Sequence, residues 1–341
     1  MSGRFQENDI RPAEFATRQQ AAMRADIDYL LSFQQEFVAV PCPACAERCP
    51  ELEFEKYALT YQRCLNCRSL YISPRPRPDH LELFYQNTQN YAFWNQYIFP
   101  ASEVARRERI FRPRAARVRE ICERLRVTPE RLVEVGAAFG TFCEEIAKLG
   151  FVQEIIAVEP TPDLAQTCRD KGLNIIEQPI EKVALPDESL DVVCAFEVLE
   201  HLFSPADFLH KLHRLLKPGG LVVLTNPSCD GLDVVVSPQH SSTVDAEHLN
   251  YLNPSSMAVL FRRTGFELLE VTTPGQLDVE LVRKMFLEQQ LKRPDHPFLY
   301  QVLVDHWESS GARFQSFLAE NLLSSHMWTV ARKSLAPPVQ E

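Results

Sequence analysis

Two cysteine pairs carry the plainest chemistry in the chain. Cys42-Pro-Ala-Cys45 and Cys64-Leu-Asn-Cys67 are separated by eighteen residues. That is the ligand spacing of a four-thiolate zinc ribbon, in which each pair supplies two sulfurs to a tetrahedral ion. With all four ligands protein thiolates, no coordination position is left for a substrate, and the expected role is structural. Cys49 lies between the pairs and is spare. A second unit, Leu132-Val-Glu-Val-Gly-Ala-Ala-Phe-Gly-Thr-Phe142, passes from an apolar run through a small-residue turn into helical spacing. A strand, turn and helix of this kind bring backbone N–H groups and a helix N-terminus close to a ligand. Its candidate contacts are Glu134, Gly136, Ala138 and Gly140. Ile155-Ile-Ala-Val-Glu159 follows, and its carboxylate lies nineteen residues after Gly140. Nucleotide-type folds place at that position the acid that accepts hydrogen bonds from ribose hydroxyls.

These residues need a parallel sheet to position them. Leu132–Val135, Ile155–Val158, Leu190–Phe196 and Leu221–Thr225 read as buried parallel strands, Gly265–Thr273 as a sixth, and Met327–Arg332 as a last, antiparallel one. His201 falls in the turn after Leu190–Phe196, at the carboxyl end of the sheet where open α/β folds bind ligands. Ser204-Pro205 with Asp207 begins a helix whose stripe of leucines faces the sheet and which ends at Gly219-Gly220. His210 and His213 lie off that stripe and are expected in solvent. The remaining divisions are a polar helical arm (1–37), the ribbon (38–73), an aromatic-rich helical connector or lid (74–127), the α/β domain (128–335) and a short tail (336–341). Helical sequence over about 277–322 interrupts the α/β domain. The lid region carries Phe84, Tyr85, Tyr91, Phe93, Trp94, Tyr97 and Phe99, and one of its tyrosines is a candidate to enter the pocket.

Taken together, Glu134-Val-Gly-Ala-Ala-Phe-Gly140, Glu159-Pro160, Asp187-Glu-Ser-Leu-Asp191, Phe196-Glu-Val-Leu-Glu-His201 and Leu216-Lys-Pro-Gly-Gly220 resemble the class I S-adenosylmethionine-dependent methyltransferases. The resemblance spans about residues 130 to 335. It implies a Rossmann-like, seven-stranded sheet with helices on both faces, S-adenosyl-L-methionine as cofactor, and cofactor contacts from Glu134, Gly136, Ala138, Gly140, Glu159, Pro160 and Phe196. Ala138 replaces the middle glycine of the family's loop. Pro179 stands where the family often carries an acid for the adenine amine, which leaves Glu181 or a backbone group for that contact. A nicotinamide cofactor would suit the strand–turn–helix unit too, but the segments after the fourth and fifth strands follow the methyltransferase pattern. With the ribbon included, the chain is similar to sugar C-methyltransferases. In those enzymes a Glu-His-x-x-Tyr segment borders the methyl-transfer site, and it matches Glu247-His248-Leu-Asn-Tyr251 here. The resemblance makes His248, Glu247, His201 and Tyr251 the catalytic candidates.

Composition bounds the partners. A formal charge of −10 disfavours a nucleic-acid or anionic-membrane surface. Ten cysteines in 341 residues are too few for a disulfide scaffold. No stretch reaches the roughly 18 apolar residues of a membrane span, so the expected setting is cytoplasmic. From Arg106 to Arg131 ten arginines face four glutamates; they either pair with acids or hold a phosphorylated substrate. The expected function is methyl transfer to a small polar acceptor, a nucleotide sugar or natural-product intermediate, at carbon or oxygen. An RNA or protein methyltransferase gripping its substrate through the ribbon, and a non-catalytic cofactor-binding scaffold, are the alternatives.

Overall fold

The computed structural model describes residues 6–334. The 336–341 tail and the first residues of the arm lie outside them. Eleven strands occur among the described residues: β1 (Pro50–Lys56), β2 (Leu59–Cys64), β3 (Leu70–Ile72), β4 (Arg131–Val135), β5 (Glu154–Val158), β6 (Asn174–Ile176), β7 (Leu190–Phe196), β8 (Leu216–Pro227), β9 (Asn250–Tyr251), β10 (Phe266–Thr272) and β11 (His326–Lys333). They form a seven-stranded sheet of order β10-β11-β8-β7-β4-β5-β6 and a four-stranded sheet of order β1-β2-β3-β9. In the large sheet only β11 runs against its neighbours.

Why the parallel strands read as continuous apolar runs is plain from their packing. Successive side chains alternate between two buried faces. Leu132, Val192, Cys194 and Phe196 pack with Val118, Ile121, Phe142 and Ile146 on one face. Val133, Val135, Val193 and Ala195 pack with Phe208, Leu209, Leu212 and Leu215 on the other. The strand β8 begins at Leu216 rather than Leu221, because Leu216 already pairs with Leu190 across a register shift. His213 is not in solvent as expected. It is half-buried, with its ring 5.3 Å from Phe266 and directly above Gly265.

From Gln89 to Leu125 the connector is one helical run that widens twice into π-type turns, at Trp94–Ile98 and Arg107–Phe111. Pro100 and Pro113 follow these turns. A proline inside a helix lacks its N–H and clashes with the carbonyl four residues back. Here those carbonyls belong to Gln96 and Arg109, inside the two widened turns, which absorb the prolines without breaking the helix. The arginine-rich end of this run is engaged by acids: Arg107 with Glu103, Glu144 and Glu145, Arg117 and Arg124 with Glu270, and Arg131 with Glu154.

The cysteine module is tied to the large sheet by shared strands and buried cations. Tyr57 and Ala58 close the β1–β2 hairpin with φ of 55° and 58°, the left-handed pair that matches strand twist. The two-residue strand β9 comes from the loop after β8, yet it pairs with β3, Leu70 opposite Tyr251 and Tyr71 opposite Asn250. Lys56 reaches from the hairpin into that loop and donates to the carbonyls of Pro238, Ser241 and Val244. Arg75 is wholly buried and donates to Ile72 O, Phe203 O, Leu249 O and Asn250 Oδ1.

Candidate active site

Turn geometry after β4 follows from its small residues. Gly136 and Gly140 have φ of +70° and +69°, and a Cβ on either would lie 2.5 Å or less from Val198 or Leu173. Only glycine meets both demands at these positions. Ala138 is also left-handed, at φ 47°, and there a methyl is accommodated. Its N–H donates to Glu159 Oε2 at 2.9 Å, while Thr161 N–H donates to Oε1 at 2.9 Å. Glu159 therefore sits just past β5, buried and held by two backbone amides, with acceptor lone pairs left over for a diol. Glu134 at the end of β4 accepts from Cys143 Sγ at 3.0 Å. Burial pushes its carboxyl up to about 8 against the pull of Cys143 and Arg114. A cationic ligand beside it would restore the carboxylate. The donor set suits an adenosyl sulfonium: backbone amides and a held acid for the ribose, and a buried acid for the cationic amine.

A second constellation gathers where β7 ends. Phe196 is a core residue, its ring 4.8 Å from Phe142 and 5.8 Å from Trp328, with the Arg114 guanidinium 4.8 Å above it. The next residue, Glu197, accepts from Thr225 Oγ1 at 2.6 Å and Arg114 at 3.2 Å, and His326 Nδ1 lies 3.3 Å away. The turn Leu199–His201 then presents Glu200 and His201. Asn250 of β9 pins that turn, donating to the carbonyls of Leu199, Glu200 and Leu202, and Arg75 holds the Asn250 oxygen. The ribbon's exit thus reaches the catalytic candidates through two side chains.

His201 and His248 meet edge to face with ring centroids 4.7 Å apart. His248 Nδ1 contacts Thr243 O at 2.9 Å, and Nε2 lies 3.6 Å from Asp245 Oδ2. Burial pulls the His201 imidazole well down, the nearby Glu247 backbone opposes it, and Nδ1 is buried without a partner. Both oxygens of Glu200 are buried and make no geometric hydrogen bond; the charge acting on them most strongly is the Glu197 carboxylate. Tyr85 and Tyr91 enter from the lid side, Tyr85 6.1 Å from both Tyr91 and His201, with the Tyr85 hydroxyl buried and unpartnered. Glu247 faces Tyr91 and Asn90, and burial together with Asp245 pushes its carboxyl up to about 8.

The expected site residues fall into distinct positions. Glu134, Gly136, Ala138, Gly140 and Glu159 gather at the carboxyl ends of β4 and β5, and Val198 beneath Gly136 leads to the turn holding His201. Glu247 and His248 border the same region. Tyr251 does not present a free hydroxyl. It is fully buried, and Asp245 N–H and the carbonyls of Thr243 and Asp245 occupy its oxygen, so it shapes the 243–248 loop. Glu181 is exposed on the turn Ile180–Lys182, and Pro160 is half-buried beside Glu159. Glu197, Glu200, Arg114 and His326 complete the constellation. The first two were visible within the Phe196–His201 segment, whereas only tertiary folding brings Arg114 and His326 beside them.

The cysteine expectation has a geometric counterpart. Sγ atoms of Cys42 and Cys67 are 3.4 Å apart, those of Cys45 and Cys64 3.5 Å, and all four lie within 4.8 Å of one another. Zinc–sulfur bonds of 2.3 Å in a tetrahedron put sulfurs about 3.8 Å apart, so the four thiols fit that ion. Cys49 stands outside the cluster and is half-buried.

Comparison with known proteins agrees with this geometry. A family model described as a methyltransferase domain matches residues 106–271. A ubiquinone biosynthesis O-methyltransferase of Saccharophagus degradans is 30% identical over 169 residues, covering 46% of this chain and 71% of that protein. The chain belongs to the class I S-adenosylmethionine-dependent methyltransferases. A Mycolicibacterium smegmatis protein described as a probable S-adenosylmethionine-dependent methyltransferase is 33% identical over 89 residues, 26% of this chain and 33% of that one. The chain spans at most about half the length of the first mycobacterial relatives it matches, 33% and 48%. An S-adenosylmethionine-dependent methyltransferase structure from Mesorhizobium loti aligns at 16% identity and a TM-score of 0.39, over 62% of this chain and 96% of that one. S-adenosylmethionine is that family's cofactor, and the donor set of the β4 turn and Glu159 fits it. No described helix is long and apolar enough to cross a membrane.

Proposed function

We propose that the enzyme transfers the methyl of S-adenosylmethionine to a small polar acceptor held between the lid tyrosines and the His201–His248 pair. When bound, the cofactor supplies an electrophilic methyl on a sulfonium whose charge vanishes on transfer. What the chain itself must add is alignment and removal of the acceptor's proton. The Gly136–Gly140 turn and Glu159 fix the donor side. Tyr85, Tyr91 and Glu247 line the acceptor side and offer hydroxyl and carboxyl contacts suited to a polyhydroxylated or carbonyl-bearing molecule. Nucleotide sugars and hydroxylated natural-product intermediates have that chemistry. A zinc ion at Cys42, Cys45, Cys64 and Cys67 would hold the ribbon's fold without entering the reaction.

The observation that carries this reading is the fixed His248 ring. With Nδ1 on the Thr243 carbonyl, Nε2 is the ring nitrogen left to meet an acceptor's proton, with Asp245 Oδ2 3.6 Å from it. General-base catalysis contributes roughly 10²- to 10⁴-fold. A screen of nucleotide sugars and hydroxylated small molecules with radiolabelled methyl donor should find the acceptor. With it, His248→Gln is expected to lower kcat by about 100-fold or more while leaving S-adenosylmethionine affinity essentially unchanged. A variant with wild-type kcat would remove His248 from the chemistry.

A further inference from the structure

On the buried face of the arm helix Ala16–Leu31, an acid stands beside Ile27 and Leu30. Asp26 is 3% exposed there. A carboxylate in such a place is costly unless it is hydrogen-bonded, and the donors that answer it come from the lid. Thr88 Oγ1 lies at 2.7 Å, and the backbone N–H groups of Gln89 and Asn90 at 2.7 and 2.8 Å. Those two amides open the long helical run of the connector, where the first N–H groups have no partner inside the helix. Thr88 completes the cap by accepting from Tyr91 N–H. A capping side chain ordinarily comes from the residue just before the helix; here an acid sixty-two residues before Thr88 shares the task. The arm grips the same run further along. Arg106 donates to Ile10 O at 2.7 Å, the Arg18 guanidinium lies 4.3 Å over Tyr97, and Phe15 meets Phe93 edge to face.

The residues that this cap aims belong to the acceptor side. Asn90 and Tyr91 face Glu247, the neighbour of His248. Asn90 is buried with its Oδ1 unpartnered, and the Tyr91 ring lies 6.1 Å from Tyr85. A small cavity lined by Asp26 and Ile27 of the arm and by Asp245 and Glu247 of the loop after β8 brings the two segments together. We propose that Asp26 is a positioning residue for the methyl acceptor: capping the lid helix from the arm, it holds Asn90 and Tyr91 against Glu247, so the acceptor pocket is complete only with the arm in place. The inference rests on the methyltransferase reading and keeps His248 as the base. It gives the arm a part in acceptor binding and none in donor binding, since the Gly136–Gly140 turn and Glu159 are held by β4 and β5.

Amide hydrogen exchange reads the lid and the loop without an acceptor. Full-length wild type, Asp26→Ala and Asp26→Asn are compared, with S-adenosylmethionine calorimetry on the same preparations. Asp26→Ala should keep wild-type affinity for the donor and speed exchange about tenfold, both in Gln89–Phe93 and in residues 245–249. Asn caps about as well as Asp, so Asp26→Asn should restore much of the protection in both segments. On the acceptor that the screen returns, Asp26→Ala should raise KM about tenfold with kcat within about threefold, because His248 is fixed by Thr243 and not by the lid. Faster exchange confined to the arm and the lid, with residues 245–249 at wild-type rates, would overturn the proposal and leave Asp26 a cap alone. An unchanged KM would overturn it too. Should Asp26→Ala lose donor binding, Thr88→Val decides instead, because it cuts only the bridge from Asp26 to the Tyr91 N–H. It must then show the same two-segment pattern, and wild-type exchange in residues 245–249 would count against the proposal equally. Wild-type protein that fails to bind S-adenosylmethionine would count against the methyltransferase reading itself, while the exchange comparison would still decide the role of Asp26.

Discussion

At the scale of single residues, the candidate site gathers ionisable groups in buried surroundings. Glu134 is the clearest case, and its consequence for stability has a definite sign. Its carboxyl rises from 4.5 to about 8 on folding, with burial the leading cause. Between those values the folded chain holds a proton that the unfolded chain has released. Stability therefore falls as pH rises through that window, by up to about 1.4 kcal/mol per pH unit from this one group. In cofactor-free protein, Glu134→Gln should flatten that slope and leave the variant more stable than the wild type at pH 8. Denaturant titrations across pH 5 to 8.5 check this, and parallel curves for the two proteins would contradict it. Glu134 was legible as a site residue because it ends a readable strand before a readable turn. Its burial was not, because it depends on how the neighbouring helices that carry Arg114 and Cys143 pack over the strand.

At the scale of elements, the cysteine module is less separate than its local sequence suggests. The CxxC spacing is legible because metal geometry is a local property of four thiols. That β3 would extend its sheet through Asn250–Tyr251 was not legible, since a two-residue strand has no periodicity and its partner is nearly two hundred residues away. The same holds for Arg75, whose four acceptors come from three segments. This arrangement predicts that stripping metal from the proposed zinc site at the four thiols is felt at the Leu199–His201 turn. Treatment with a strong chelator should speed amide hydrogen exchange in β3, β9 and Leu199–His201, while β4, β7 and β8 keep their protection. Exchange that changes only within residues 38–69 would mean that ribbon and active site are mechanically independent.

At the scale of the whole molecule, six strands of the large sheet, its antiparallel last strand and the meeting of the glycine turn with Glu159 follow from patterns that sequence displays directly: apolar runs, small-residue turns and an acid at fixed distance; the three-residue β6 came only with the family resemblance. The proposed acceptor side does not follow from such patterns. It is assembled from the lid (Tyr85, Tyr91), the turn after β7 (Glu200, His201) and the loop after β8 (Glu247, His248), and only long-range packing brings the three together. The donor side is centred on Glu159, held by the Ala138 and Thr161 amides. Calorimetry of S-adenosylmethionine against wild type and Glu159→Ala tests it most directly. Hydrogen bonds to a charged acceptor contribute about 1.5–3 kcal/mol each, and about 1.4 kcal/mol is tenfold in affinity. One saturable site per wild-type chain, weakened roughly tenfold or more by Glu159→Ala, is the predicted result; equal affinity in the two proteins, or no binding by the wild type, would contradict it.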